Sequence, residues 1–432
     1  MIHATREFQA LIVGGGPAGL AAGIVLARNG VRCLLLERRK LPYAKVCGEG
    51  LMPVGLRALE RLGVSPGESS AGGDARSHDS IGLKPAGAWG RPFRGIRYVD
   101  QSTGTNAEAD FAEGPGRGAP RRILAARLLA VARRYEPLLE IRDDTLCESL
   151  RRMDDGFWTA RAGESTARAP LLIGADGINS FARRAAALDR DNRRRDPRRW
   201  GARWHFPIAP WTDDFVEVRL LPRVAGVECY ITPVGAKETG VAFLWDRAAF
   251  RPSRGEALLE SLLELFPEVA ARVDGLKPLP DGGAIGPLLH RTRALSGPGV
   301  LLIGDAAGYL DAATGEGLSL AFEAALALED TVAPALGDAR LSPRASADED
   351  PVEFNSRRLA RALADYARRH RRITANYYLT TRLVLWLGRR PRLMRRVVLG
   401  LNASPRFFQH VLSVNMGTRK IWAVNPLSLL RF

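Results

Sequence analysis

The chain has 432 residues, 46% of them hydrophobic, and a formal charge of +16. That length and apolar content suit a large buried core divided into two or three domains, and they exclude a disordered chain. Four cysteines without a CxxC pair and six histidines without ligand spacing point away from a disulfide framework and from a zinc site, so no metal is expected, while the charge invites nucleic acid or anionic lipid as a partner.

The first residues, MIHATREFQA, carry no apolar signal core, and no apolar run reaches the roughly 18 residues needed to cross a bilayer. A cytoplasmic protein is expected, with membrane association left open by the charge. FQALIV then reads as a strand, GGGPAG as a turn, LAAGIVLARNG as a helix ended by Gly30, and VRCLLLERR as a second buried strand. This is a βαβ unit with Gly14, Gly16 and Gly19 in the G-x-G-x-x-G positions, Pro17 and Ala18 in the same turn, and Glu37 followed by Arg38 at the end of the second strand. Glycines there allow a tight turn and let backbone N–H groups approach a pyrophosphate at a helix N-terminus, and the distal carboxylate can bond ribose hydroxyls. A dinucleotide is the expected ligand. No second strand-linked G-x-G-x-x-G occurs, so any nicotinamide, NADPH or NADH, must visit transiently or be replaced by a partner reductase.

Next comes YAKVCGEGLMP, Tyr43 to Pro53, a loop with a cysteine and two glycines around a glutamate. It is either an ordinary tight turn or the backbone wall of a reaction site, where Cys47 or Glu49 can give or take a proton. Arg121 precedes the helical ILAARLLAVARR. APLLIGADGINSFARRAA is an apolar strand running into Asp176 and Gly177, and GVLLIGDAAGYLDAATGEGLSLAFEAALAL is another that runs into Gly304 and Asp305 and then a long apolar helix. Three glycine-acid strand edges converging on one crevice imply a cofactor with two ends to hold. Between them, FVEVRLLP and GVECYITPVGAKETGVAFLW alternate as an antiparallel sheet does, and Trp200, Trp204, Phe206, Tyr230 and Trp245 make that region aromatic, as either substrate wall or plain core.

A polar linker, Gly337 to Pro351, leads to the charge itself. Arg357 to Arg396 holds thirteen arginines against one acid, Asp365, which is +12 of the +16. Its apolar residues come in blocks, YYLTTRLVLWLG and LMRRVVLGL, which read as one face of an amphipathic helix. That face is expected to bury itself against the body or in lipid headgroups. Such a pattern does not track phosphates as a nucleic-acid groove does, so no nucleic acid is expected as partner.

The order of these motifs resembles the flavoprotein superfamily of p-hydroxybenzoate hydroxylase and geranylgeranyl reductase over roughly residues 8 to 330. The resemblance implies an α/β fold: a Rossmann-like FAD-binding domain (1–65, 121–186 and 287–336), an inserted antiparallel-sheet substrate domain (66–120 and 187–286) and a basic helical C-terminal segment (352–432). It implies FAD held non-covalently, with Gly14, Gly16, Gly19 and Glu37 on the ADP half and Asp305 on the ribityl-pyrophosphate region. Arg121 and Asp176 resemble residues that contact the cofactor, and Gly315, Glu316 and Gly317 would face the flavin ring, where a helix N-terminus stabilises negative charge. Cys47 and Gly48 resemble the turn that geranylgeranyl reductases carry beside the ring, with Glu49 where that turn has glycine. Gly308 departs from the histidine of the hydroxylase motif, and Glu228 to Pro233 lacks the halogenase signature, which disfavours halogenation. The expected function is an NAD(P)H-dependent monooxygenase acting on a hydrophobic small molecule. Alkene reduction is the alternative, and a basic membrane- or nucleic-acid-binding protein is the non-enzyme reading.

Overall fold

The computed structural model describes residues 5–46, 48–65, 89–190, 199–221, 224, 226–337 and 351–420. Four apolar runs, ALIV, CLLL, LLIG and VLL, have every residue buried, the pattern expected of parallel strands covered on both faces. They form the centre of a six-stranded sheet whose order is Ser296–Gly297, Val300–Leu302, Leu171–Gly174, Ala10–Val13, Cys33–Leu36 and Leu139–Arg142. One face is covered by helices Pro17–Arg28, Arg121–Arg133 and Gly317–Thr331. The other face packs Leu11, Val13, Leu34 and Leu172 against Leu150 and Trp158 of a smaller four-stranded sheet.

A second sheet of seven strands runs Gly283–Ile285, Arg199–Phe206, Glu238–Asp246, Glu228–Gly235, Phe215–Leu220, Gly95–Asp100 and Asn106–Asp110. Its pairings are antiparallel except where Phe215–Leu220 lies parallel to Gly95–Asp100. The two-residue period of a strand divides its faces. Cys229, Ile231, Phe243 and Trp245 pack with Leu262, Phe266 and Val269 of two short helices. Tyr230, Thr232, Val216 and Val218 face the opposite way, onto a large cavity. Of the five aromatic residues singled out in the sequence, Phe206 and Trp245 are core, Trp200 and Trp204 pack against that core, and Tyr230 lines the cavity.

The C-terminal segment is three helices, Pro351–Gly388, Pro391–Ala403 and Pro405–Asn415, the later two each begun by a proline whose fixed φ suits a first helical turn. The long helix lays Leu359, Leu363 and Tyr366 into the core of the parallel sheet. The Tyr366 hydroxyl donates to the Leu302 carbonyl at 3.2 Å. One turn of chemistry pins it further: the Tyr377 hydroxyl accepts from the Leu310 and Asp311 N–H groups at 3.3 and 3.2 Å and donates to the Asp311 carbonyl at 2.8 Å. The two shorter helices fold back over the seven-stranded sheet, where Leu387, Met394, Val398, Leu401, Phe408 and Leu412 share one core with Val216, Val218 and Leu220. Most of the apolar face is thus buried against the body. Leu379, Leu383, Trp386 and Leu399 are the exception, each about half exposed. No helix among the described residues is long and apolar enough to cross a membrane.

Removing the Tyr377 hydroxyl leaves two buried backbone donors without their acceptor. Tyr377→Phe should therefore cost about 1–3 kcal/mol, read from denaturant unfolding of the purified protein.

Candidate active site

The glycine turn is built by exclusion. A Cβ on Gly19 would stand 1.9 Å from the Gly14 carbonyl oxygen, and one on Gly14, whose φ is +109°, would stand 2.5 Å from the Ala175 carbonyl oxygen. These two glycines let the first helix and two strand ends touch through bare backbone. Gly19 lies beneath the turn and off the cavity wall, where it packs the helix against the strand end. Gly16 is different: a Cβ there would meet nothing within 4 Å. It caps helix Pro17–Arg28 without a side-chain acceptor, which leaves backbone donors and the positive helix end for an anion. Glu37 is buried and already bonded, accepting from the Gly15 N–H at 2.7 Å and the Arg39 N–H at 2.9 Å, with the Tyr43 hydroxyl at 3.4 Å. It fastens the turn to the second strand. Burial and then Glu37 push the Tyr43 phenol up to about 12.

From this turn a cavity of about 1190 Å³ runs through the molecule. Gly14, Gly16, Pro17, Ala18, Glu37 and Arg38 line its first part. Gly48, Arg121, Asp176, Gly177, Gly304 and Asp305 line the middle. Asp305 sits 2.8 Å from the Lys45 ammonium, and although burial raises its carboxyl, Lys45 followed by Arg121 and His290 holds it below the ordinary range. Arg121 is 6% exposed, and its Nη1 is a buried donor without a hydrogen-bond partner. Asp176 is committed to its own helix: one oxygen accepts from the Ser180 hydroxyl, the other from the Phe181 and Ala182 N–H groups at 2.5 and 3.1 Å. That cap orders the turn, and both Asp176 and Gly177 line the cavity. Arg183, 1% exposed, then bonds the Ala306 and Ile178 carbonyls at 3.1 and 2.9 Å, tying the second glycine-acid edge to the third.

The loop after the second strand carries the largest departure from expectation. Cys47 lies outside the described residues. Glu49 is 1% exposed with φ +61°, a conformation that L side chains rarely adopt, and both its oxygens are engaged. One accepts from the Arg121 N–H at 2.8 Å and lies 3.4 Å from the Arg203 guanidinium; the other pairs with His205 Nε2. On its far side His205 Nδ1 is 2.9 Å from Glu238 and 3.5 Å from Asp281, and Arg122 closes the cluster on Glu238 at 2.7 Å. Burial works against a charged imidazole, yet the bonds to Glu238 and Glu49 raise His205 to about 9. Glu238 is opposed by burial too, and His205 and Arg122 bring it down to about 2. Glu49 is therefore an ion-paired anchor for the loop, which strains its backbone. Sequence reading found Glu49 and missed Lys45, Arg203, His205 and Glu238, although Lys45 stands inside the loop it quoted.

The last part of the cavity is apolar. Val216 and Val218 from the sheet face Leu387, Met394, Val398 and Phe408 from the C-terminal helices, and Gly315, Glu316 and Gly317 stand where the polar groove meets this chamber. Below it, Arg199 makes a two-toothed pair with Asp311 at 2.9 and 3.2 Å and reaches Glu228, which accepts from the Tyr230 hydroxyl at 2.6 Å.

A groove with a helix N-terminus, an unpartnered arginine donor and a lysine, opening into an apolar chamber, fits a dianionic dinucleotide with a flat redox ring. This fold and site define a flavin-dependent oxidoreductase. Residues 7–348 match the family described as the FAD binding domain, and the chain belongs to it. It is 27% identical over 343 residues to a menaquinone reductase of Mycolicibacterium smegmatis, covering 72% of this chain and 73% of the relative. It is 25% identical over 356 residues to squalene epoxidase erg1 of Schizosaccharomyces pombe, covering 77% and 70%. A solved flavoprotein/dehydrogenase from Cytophaga hutchinsonii superposes with a TM-score of 0.72 over 95% of this chain and 93% of its own, at 17% identity, and so shares the fold.

The His205 cluster makes stability depend on pH in a stated direction. Its folded pKa of about 9 lies above the ordinary imidazole value of about 6.5, so its stabilisation is complete below about 6.5 and lost as pH rises through 9. The melting temperature of the wild type should fall over that window. His205→Gln should be less stable at pH 6 and should lack this alkaline component.

Proposed function

We propose that the chain is an NAD(P)H-dependent FAD monooxygenase that inserts one oxygen atom into an apolar aromatic, polyketide or lipid-like molecule. The observation that carries this reading is continuity: one cavity joins the dinucleotide groove to a chamber of aliphatic and aromatic side chains. A chamber of that kind keeps water from a reactive oxygen species and takes an apolar substrate by its buried area. In this reading Gly14, Gly16, Pro17 and Ala18 hold the pyrophosphate, Glu37 and Arg38 flank the adenosine ribose, and Lys45, Arg121 and Asp305 attend the ribityl-pyrophosphate stretch. Gly48, Gly177, Gly315 and Gly317 let backbone approach the ring. The domain division follows the same lines: 1–65, 121–186 and 287–336 for FAD, 66–120 and 187–286 for the substrate, and 352–432 as the basic C-terminal segment. FAD, bound without a covalent link, supplies two-electron chemistry between a visiting nicotinamide and oxygen.

Alkene reduction is the second reading, and the likeness to a menaquinone reductase favours it. Burial raises the cavity-lining Glu316 carboxyl to about 8, giving an acid beside the ring position. The two relatives bear names from both sides of the choice, an epoxidase and a reductase. The deciding experiment records NADPH and NADH oxidation with simultaneous oxygen uptake across polyprenyl lipids and alkyl-phenols. Oxygen uptake matched to a hydroxylated or epoxidised product is the expected result, whereas anaerobic turnover with loss of an alkene selects reduction.

A peripheral contact with anionic membrane belongs to the same reading. Leu379, Leu383, Trp386 and Leu399 are exposed on an arginine-rich surface, the Arg390 guanidinium stacks 3.9 Å over Trp386, and Leu383 also lines the cavity. Arginines near a charged bilayer contribute about 1 kcal/mol each. Holoprotein should sediment with anionic vesicles and not with neutral ones. The double substitution Leu383→Ser with Trp386→Ser should weaken that binding while FAD stays bound; equal sedimentation of wild type and variant would refute the contact.

A further inference from the structure

We propose that Glu316 is the proton donor of this active site, set at the junction of cofactor groove and apolar chamber and positioned there by Asn415 of the last helix. The inference rests on the flavin reading and is indifferent to its two branches. Hydroxylation, NAD(P)H + H⁺ + O₂ + RH → NAD(P)⁺ + H₂O + ROH, takes up one proton per turnover. Alkene reduction, NAD(P)H + H⁺ + C=C → NAD(P)⁺ + HC–CH, does the same. In a chamber walled by Val216, Leu387, Met394 and Phe408, a side chain at its edge is placed to supply that proton.

Glu316 ends the turn before helix Gly317–Thr331 and is 3% exposed, yet it lies on the cavity wall. Its Oε1 accepts from Asn415 Nδ2 at 3.0 Å. Asn415 is held in turn: its Oδ1 accepts from the Thr380 hydroxyl at 2.6 Å, and its amide reaches the Thr314 carbonyl at 3.5 Å. Three elements, the flavin-side turn, the long helix and the last helix, thus fix one carboxyl. Burial is the largest influence and pushes the carboxyl up to about 8; Ser319 and then Asn415 oppose it, and the like charge of Glu113 adds to it. Glu49 is the opposite case, since Arg203 and His205 pair with it. Of these two cavity-lining acids, Glu49 is an ion-paired anchor and Glu316 is the donor.

In the transfer the Glu316 O–H bond breaks. Its proton goes to the oxygen atom that leaves as water, or to the alkene carbon that does not receive hydride; the electrons come from NAD(P)H. The carboxylate that remains sits at the N-terminus of a 15-residue helix, which favours a negative charge, and it takes a proton from water once product departs.

The test uses full-length holoenzyme. Infrared difference spectra between wild type and Glu316→Gln should show a protonated-carboxyl band at pH 7 that belongs to Glu316 and titrates away near pH 8. Because the Asn415 amide favours the carboxylate, Asn415→Leu should move that midpoint upward. On whichever substrate of the panel turns over, Glu316→Gln should lose about 10²–10⁴-fold in kcat, Glu316→Asp should recover part of it, and wild-type kcat should fall as pH rises through 8. A Glu316 carboxyl already ionised at pH 7, or a Glu316→Gln enzyme as fast as wild type, overturns the proposal and leaves the flavin reading standing. A protein that takes up no FAD overturns the flavin reading and this proposal with it.

Discussion

Everything in this molecule hangs on a backbone contact that only glycine permits. The first helix passes so close to the first strand that Gly19 has the Gly14 carbonyl where its own Cβ would be, and Gly14 in turn lies against Ala175 at the end of the neighbouring strand. Close approach brings the helix N-terminus level with the ends of Ala10–Val13 and Leu171–Gly174, so the positive helix end, the Asp176 turn and the Asp305 turn open onto one groove. Any side chain at either glycine would push these edges apart. The groove is a consequence of that absence of volume, and the anion-binding backbone at Gly16 comes with it.

The second sheet and the C-terminal helices then extend the groove into an apolar chamber. Strand alternation sends Cys229 and Ile231 to one side and Tyr230 and Thr232 to the other, so one sheet serves both a solid core and a cavity wall. Its buried charges are tied to the flavin side rather than left solitary. Arg199 bonds Asp311 and Glu228, and burial, which would lower its pKa, is outweighed by those two carboxylates. Tyr377 bonds the same Asp311 backbone from the long helix. One short turn therefore joins parallel sheet, antiparallel sheet and C-terminal helix. A buried pair of this kind adds little net stability but is costly to break, which suits a joint that must keep one geometry.

The parts legible in the sequence are those where local chemistry leaves few options. A βαβ unit with glycines in register, two further apolar strands ending in Gly-Asp pairs, and alternating strands between them read correctly because backbone approach demands glycine and burial demands the period. Function at a distance did not read. His205 and Glu49 are 156 positions apart and Asn415 and Glu316 are 99 apart, and nothing local in either pair announces its partner. Asp176 looked like a cofactor ligand because its motif sits at a strand edge, yet a hydroxyl and two N–H groups in the next turn claim its oxygens first. The amphipathic helix kept two options open for the same reason: a stripe of leucines records that something covers it, while the choice between sheet and lipid is made by residues far along the chain. Here the choice is divided, with Leu387 and Met394 buried on the sheet and Leu379, Leu383 and Trp386 turned outward.

The electrostatics of the cavity follow from that assembly. Its cofactor end collects the helix N-terminus, Lys45, Arg121 and Arg203, all suited to the negative charge of a dinucleotide, and each acid there is matched by a cation or by backbone N–H groups. At its far end Glu316 has no cation beside it among the described residues, and Ser319 and Asn415 oppose a larger effect of burial. Lys45 and Arg121 hold the Asp305 carboxyl below its ordinary range, whereas burial raises that of Glu316. Because the C-terminal helices supply both the apolar wall and Asn415, the segment that gives this chain most of its positive charge also helps build the surroundings in which burial raises the Glu316 carboxyl.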